Sequence, residues 1–74
     1  MKIVLNTVDN VKKFVLECEK YEGDIDVRQG RYVVDGKSML GLYSLNLIEP
    51  VTVTMDGTDD EKMKFYNNIR QWEE

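Results

Sequence analysis

Two kinds of hydrophobic spacing alternate along this 74-residue chain, and their order restricts the possible folds more than any other feature. Apolar residues three and four apart predict helices, whereas apolar residues at every second position predict strands with one buried face. From the first residue to the last, the two patterns give strand, helix, strand, strand, short helix, strand and helix. No internal repeat and no low-complexity segment interrupts this order.

The first long helix is predicted over residues 8–21, after N-cap candidates that include Thr7. Leu16 and Glu17 lie outside its apolar stripe, and Gly23 is expected to end the helix. The stripe is expected to pack on a core and consists of Val8, Val11, Phe14, Val15, Cys18 and Tyr21.

Two further helices are predicted in the second half of the chain. A short apolar helix covers residues 38–45, begins at the capping residue Ser38 and is followed by Asn46 in a left-handed conformation. A last helix covers residues 58–72, and its start at residues 58–61 has the pattern of a capping box.

Four short segments have the pattern of strands. The first and third are β-branched runs, and the second and fourth alternate apolar with polar residues. Pro50 can precede the fourth strand but not lie inside a central strand. Residues 29–30 are predicted to form the turn of a hairpin between the second and third strands. The predicted strands cover residues 3–5, 24–28, 31–34 and 51–56.

This order of elements favours an α+β fold. Four strands form one mostly antiparallel sheet, three helices cover one of its faces, and the first helix crosses over the sheet. The architecture is an open-faced β-sandwich, and residues 1–74 form a single domain.

The net charge argues against nucleic-acid partners, and the cysteine content excludes an internal disulfide. The net charge is −4 and no basic stripe is present, so direct nucleic-acid binding is not expected. Cys18 is the only cysteine, which rules out an internal disulfide, and its place on the apolar stripe indicates a core residue. No signal-like or membrane-spanning apolar run occurs, so a cytoplasmic location without membrane insertion is expected.

Acidic residues cluster between the last strand and the last helix, at Asp56 and in residues 59–61. They lack the alternating ligand pattern of a calcium loop and are interpreted as a turn and a helix cap. The sequence therefore predicts no metal site, no other cofactor and no catalytic residue.

Two segments carry a resemblance to a known family. Residues 37–45 have the sequence KSMLGLYSL, and residues 20–27 have the sequence KYEGDIDV. Together with the element order, they resemble the HPr family, the histidine-containing phosphocarriers of the sugar phosphotransferase system. The match runs from Thr7 to Leu47 without an obvious gap, and the last strand and helix agree in kind.

The phosphorylation site of the family is altered in this chain. In HPr, a histidine at the start of the first helix receives a phosphoryl group from the phosphoenolpyruvate-dependent enzyme, and a nearby arginine holds the phosphate. Here Thr7 and Asp9 stand at those positions, and the sequence contains no histidine. A threonine ester would be stable, and an aspartate would repel phosphate, so loss of the carrier function is expected. The alternative is a phosphocarrier that uses Thr7 or Asp9 as acceptor.

The regulatory site of the family is retained. Ser38 aligns with the serine that a dedicated kinase phosphorylates in many Gram-positive bacteria, and Lys37 precedes it. Met39, Leu40 and Tyr43 align with the exposed apolar docking patch of the family. The catabolite-repression HPr-like proteins likewise lack the histidine and keep the serine. The resemblance implies a regulatory protein that binds phosphotransferase-system proteins, the HPr serine kinase or a regulator.

Plainer interpretations remain open at both features. Ser38 is equally well explained as an N-cap that contributes about 1 kcal/mol to the helix. The apolar residues of the patch are alternatively core residues, although a two-turn apolar helix on one face of a sheet cannot bury every side. A plain interaction or oligomerisation module on the same fold is the remaining alternative, because a fold does not fix a function.

Overall fold

The computed structural model, which describes residues 1–74, contains one four-stranded sheet in the order β1-β4-β2-β3. All neighbouring strands are antiparallel. The two strands that flank β4 are therefore parallel to each other, which requires a crossover between them, and α1 supplies it. The strands are β1 (Lys2–Ile3), β2 (Ile25–Gln29), β3 (Tyr32–Asp35) and β4 (Val51–Met55).

Three α-helices pack against this sheet, as the sequence predicts. Each begins at a side-chain cap, because the N–H groups of a first turn have no partner inside the helix. The caps of the first and last helices are Thr7 and Thr58, and the latter forms the predicted capping box with Glu61. The helices are α1 (Val8–Cys18), α2 (Met39–Tyr43) and α3 (Asp59–Ile69), and a 3-10 turn (Arg70–Trp72) extends α3.

The core lies between the helices and one face of the sheet. Apolar residues of β2 and β4 point to this face, and the residues between them, such as Asp26, Arg28 and Thr54, point to solvent. The predicted open-faced α+β sandwich is thus confirmed. Fifteen buried apolar residues form a single cluster: Ile3, Leu5, Val11, Phe14, Val15, Cys18, Ile25, Val27, Leu42, Leu45, Val51, Val53, Met55, Phe65 and Ile69. No helix has the length and apolar character needed to cross a bilayer.

The two outer edges of the sheet differ. β1 is shorter than the predicted residues 3–5, because β4 begins at Val51, which lies opposite Ile3. The outer edge of β1 is covered by the C-terminal segment, since the Val4 N–H donates to the Trp72 carbonyl (2.9 Å) and the Glu74 N–H donates to the Lys2 carbonyl (3.1 Å). The outer edge of β3 has no neighbouring strand.

The hairpin between β2 and β3 turns one residue later than predicted. Gln29 pairs with Tyr32, so Gly30 and Arg31 form the two-residue loop and β3 ends at Asp35. Gly30 has a φ of 60° and Arg31 does not have a positive φ, which is the pattern of a type II′ turn. Glycine adopts this conformation at the first central position without a steric cost.

Helix α1 is shorter than the predicted residues 8–21, and its buried apolar stripe is also shorter than predicted at both ends. Val8 is 58% exposed, because it lies one turn before Val11, the first buried residue of the helix. Leu16 is exposed, as predicted. At the other end, the Tyr21 N–H donates to the Cys18 carbonyl in a tighter turn that leaves Tyr21 half-buried.

Two predictions about helix ends are wrong, because α1 ends at Cys18, well before Gly23, and Asn46 is not left-handed. Gly23 does not have a positive φ, and a Cβ at this position would overlap the carbonyl oxygen of Asp56, so glycine is required there for a close approach. Asn46 does not have a positive φ either. Instead, the Gln29 side chain accepts from the Asn46 N–H (2.8 Å) and donates to the carbonyls of Asn46 (2.7 Å) and Pro50 (3.4 Å).

Candidate functional site

The turn between β3 and α2 places Ser38 at the start of the short helix. The carboxylate of Asp35 accepts the backbone N–H of Lys37 at 2.9 Å, and the carbonyl of Asp35 accepts the N–H of Ser38 at 3.0 Å. Aspartate is common in such turns because its short side chain reaches the backbone two residues on. These bonds fix the backbone of Ser38 in an extended conformation, with a φ of −105°.

Ser38 is the N-cap of α2 and is partly exposed. Its Oγ accepts the N–H of Gly41 at 3.1 Å, as expected from the sequence. A Cβ at position 41 would lie 3.2 Å from this Oγ and 3.3 Å from the Cβ of Val34, both of which are close contacts. Glycine at this position therefore lets α2 approach both its cap and β3.

The apolar surface around α2 is narrower than the sequence predicts. Leu40 is 84% exposed and Tyr43 is 42% exposed, so both offer apolar surface to a partner. Met39 is half-buried and packs against the core. Leu42 is fully buried because it lies on the opposite side of the helix from this surface. Ile48, in the loop after α2, is also exposed, and no pattern in the sequence singled it out.

Lys37 is half-buried and forms no salt bridge. Ion pairs elsewhere in the chain join residues three or four apart on the same helix or turn, where helical spacing brings side chains together. Lys37 precedes a helix of only five residues and has no acidic partner at that spacing on α2. Its ammonium group therefore has no carboxylate within salt-bridge distance.

The start of α1, where the HPr resemblance locates the phosphorylated histidine, is an ordinary helix start. The Oγ1 of Thr7 accepts the N–H of Asn10 at 3.0 Å. The carboxylate of Asp9 lies 3.2 Å from the Nζ of Lys13, and both side chains are largely exposed. The hydroxyl of Thr7 is thus engaged as a cap, and a carboxylate stands where a phosphate group would need a cation.

Glu17 is buried, although the sequence places it outside the apolar stripe. Its carboxylate accepts hydrogen bonds from Lys20 (2.9 Å), Asn68 (3.0 Å) and Tyr21 (3.3 Å). Burial by itself raises the pKa of the carboxyl group, but the bonds from Asn68, Lys20 and Tyr21 together outweigh burial, and the net pKa of Glu17 is lowered. The partner on α3 is distant in sequence, so spacing along α1 gave no signal for this contact.

The remaining reactive side chains have structural roles. Cys18 is fully buried, as predicted, and burial raises the pKa of its thiol to about 12. The carboxylate of Glu61 accepts the N–H of Thr58 at 3.0 Å in the capping box. No group of three or more cysteine or acidic side chains lies close enough together to hold a metal ion, and the surface has no enclosed pocket.

Comparison with solved structures identifies this architecture. No protein-family model matches the chain. No curated protein matches it in sequence. HPr-C-His from Thermoanaerobacter tengcongensis has a TM-score of 0.77 at 20% identity, over 96% of this chain and 90% of that chain. The phosphocarrier protein HPr from Bacillus anthracis has a TM-score of 0.71 at 19% identity, over 93% of each chain.

A third similar structure is that of Crh, the Bacillus subtilis catabolite repression protein, described as a domain-swapped dimer. It has a TM-score of 0.69 at 24% identity, over 97% of this chain and 86% of that chain. These similarities confirm the resemblance at the level of the fold.

Proposed function

We propose that this chain, which has the HPr fold, is a non-catalytic regulatory binding protein of the phosphoenolpyruvate-dependent sugar phosphotransferase system, acting in the cytoplasm. We further propose that phosphorylation of Ser38 switches its choice of partner. The observation that carries this proposal is the position of Ser38, partly exposed at the start of the helix that presents Leu40 and Tyr43. The absence of histidine from the sequence argues against the carrier function of HPr.

Phosphorylation at this position is compatible with the fold. A kinase would transfer the terminal phosphoryl group of ATP to the Oγ of Ser38, releasing ADP and the hydroxyl proton. The phosphate oxygens can accept the N–H of Gly41 that the Oγ accepts in this structure. Lys37, the residue before Ser38, has no salt-bridge partner and can turn its ammonium group towards the new charge, whereas the carboxylate of Asp35, in the same turn, opposes it. The net result is a group of about −1.5 to −2 charge next to an apolar docking surface.

Such a charge changes which partners the surface accepts. Exposed apolar groups contribute to binding when a partner buries them, and Leu40 and Tyr43 offer this area. A phosphate beside them repels an acidic partner and attracts one that presents arginine. The kinase itself, a transferase of the system and a transcriptional regulator are the partners that the HPr likeness suggests.

The kinase reaction tests the switch directly. The purified chain is incubated with ATP and the HPr serine kinase, and its intact mass is measured. We expect the wild type and Ser44→Ala to gain one phosphate, and Ser38→Ala and Ser38→Asn to gain none. Ser44 is the matched control, because Ser38 and Ser44 are the only serines in the chain and its hydroxyl lies at the other end of α2. Asparagine keeps a capping side chain without a hydroxyl, so the loss of phosphorylation in that variant does not arise from a weakened helix.

The docking surface is tested with the same reaction. Leu40→Ser removes apolar surface from a residue that is 84% exposed, so the free energy of unfolding should change by less than about 0.5 kcal/mol. We expect the KM of the kinase for this variant to rise while the kcat changes little. The matched control is Leu16→Ser, at an exposed leucine on the surface of α1.

A second reaction separates a regulatory protein from a carrier. Incubation with labelled phosphoenolpyruvate and the general transferase should leave the chain unlabelled. Acid-labile label on the protein would contradict the proposal and favour a carrier that uses Asp9 or Thr7. Absence of phosphorylation in both reactions would instead favour a plain interaction module.

A further inference from the structure

The outer edge of β3 is an unpaired strand edge. Along β3, the backbone N–H and carbonyl groups of successive residues point alternately towards β2 and away from it. Tyr32, which pairs with Gln29 next to the turn, is the first residue whose groups point towards β2. The N–H and carbonyl of Val33, the N–H of Asp35 and the carbonyl of Arg31 therefore point away from the sheet. β3 carries no proline or lysine of the kind that usually protects an edge.

Two charged residues at this edge, Asp35 and Arg31, have no oppositely charged partner within the chain, although the Asp35 carboxylate accepts the backbone N–H of Lys37. Asp35 lies directly opposite Asp26 on β2, on the solvent-facing side of the sheet. Like charges in this position destabilise a strand pair. Neither aspartate forms a salt bridge, and Arg31, at the other end of β3, forms none either. The edge thus carries an uncompensated negative charge at one end and an uncompensated positive charge at the other.

Apolar side chains lie between these charges. Tyr32 is 66% exposed and Val33 is 46% exposed, both large values for strand residues of this size. Val33 shares the solvent-facing side of the sheet with Asp35, because every second residue of a strand points to the same side, and Arg31 precedes the strand in the exposed loop. Tyr32 points to the opposite side, with Val34.

We propose that two copies of this chain pair antiparallel through their β3 strands, around a two-fold axis at Val33. In this register Val33 lies opposite Val33 of the second copy, and the two residues exchange N–H to carbonyl hydrogen bonds. Arg31 lies opposite the second copy's Asp35, and the N–H of that aspartate donates to the Arg31 carbonyl. Both ends of the ladder gain an opposite-charge pair, and each Asp26–Asp35 repulsion gains a guanidinium group beside it.

The arrangement is self-complementary only in this orientation. A two-fold axis uses the same patch on both copies, so the positive end of one strand must meet the negative end of the other. Parallel pairing would instead place Arg31 beside Arg31 and Asp35 beside Asp35. The paired strands make a continuous eight-stranded sheet whose helical faces remain on the same side in each copy. This dimer is independent of phosphorylation at Ser38 and goes beyond the proposed function.

The interface is small, so a weak dimer is expected. Stable protein interfaces bury about 1,600 Å² in total, and a strand edge of four residues buries less. Sedimentation velocity over about 10 µM to about 1 mM chain covers the range in which such a dimer forms. The wild type should shift from monomer to dimer as the concentration increases.

Charge reversals test the register. Arg31→Asp should raise the Kd of the dimer by about tenfold or more, because each of the two attractive pairs becomes repulsive. Asp35→Arg should do the same. An equimolar mixture of the two variants should restore dimerisation, since one copy then carries two acidic and the other two basic residues at the paired positions. Lys12→Asp, on the exposed surface of α1, is the control for the more negative net charge.

Val33→Pro tests the backbone ladder. Its N–H points away from β2, so proline removes only the donor to the second copy and is tolerated at an edge strand. This variant should remain monomeric throughout the concentration range, and circular dichroism checks that it folds. The proposal is overturned if the wild type remains monomeric at about 1 mM, if the dimer tolerates Arg31→Asp or Val33→Pro, or if the mixed variants fail to associate.

Discussion

The buried carboxylate of Glu17 joins α1 to α3, and loss of this contact should lower the free energy of unfolding by a measurable amount. The side chain is 11% exposed, and its Oε2 accepts the amide of Asn68 at 3.0 Å. Asn68→Ala removes this donor. A hydrogen bond to a charged group contributes about 1.5–3 kcal/mol, and water can partly replace the amide because Asn68 is exposed. We therefore expect the free energy of unfolding at pH 7 to fall by about 1–2 kcal/mol.

The loss of stability in Asn68→Ala should become smaller as the pH falls. The net pKa of Glu17 is lowered in the folded chain, so its carboxylate contributes stability above the ordinary pKa of glutamate in the unfolded chain. This contribution is lost as the pH falls through the folded-state pKa. The difference between the wild type and Asn68→Ala should be full at pH 7 and smaller at about pH 3, because that pH lies below the ordinary pKa of glutamate, where the unfolded chain takes up a proton that the folded carboxylate resists.

Urea unfolding at both pH values measures this difference. Asn67→Ala is the matched control, because Asn67 is exposed on the same helix and its side chain makes no hydrogen bond, so it reports the change in helix propensity alone. Glu17→Gln completes a double-mutant cycle, in which Asn68→Ala should cost less than in the wild type. Equal losses at the two pH values, or no coupling between positions 17 and 68, would refute the assigned role of the carboxylate.

Two further predictions concern the stability of a Gly23 variant and the reactivity of the Cys18 thiol. Gly23→Ala should lower the free energy of unfolding by about 3 kcal/mol in urea titrations, because the added Cβ overlaps the Asp56 carbonyl oxygen; a loss below about 0.5 kcal/mol would contradict that close approach. The thiol of Cys18 should resist a disulfide reagent at pH 8 until urea unfolds the chain. Because the folded-state pKa of this thiol is raised from 9.0 to about 12, stability should hold below pH 9 and decline as the pH rises towards 12. Rapid labelling of the folded chain, or alkaline stability that is flat across this window, would count against the buried thiol.

Local patterns in the sequence predict most of the architecture, because each depends on residues close together in the chain. The caps at Thr7, Ser38 and Thr58 all accept the N–H that their position dictates. The alternation of β4 from Val51 to Met55 gives its buried face correctly. These features need only the chemistry of a helix start or the period of a strand.

Contacts between distant segments were not predictable in this way. Glu17 is polar and lies beside the apolar stripe, so only its donor on α3 explains its burial. Gly23 was assigned to a helix end because glycine favours that position, whereas the backbone of Asp56, far along the chain, is what requires it. Met39 differs from Leu40 in exposure only through the orientation of the five-residue helix α2 on the sheet.

The side chain of Gln29 should restrict the motions of the loop that follows α2. Its amide bonds to both backbone groups of Asn46, a residue in a segment with no regular structure. The Asn46 amide should therefore exchange its hydrogen with solvent more slowly than its neighbours, at a rate set by release of Gln29. A binding event that displaces the end of α2 and releases the Gln29 side chain would therefore be detected as faster hydrogen exchange at the backbone amide of Asn46.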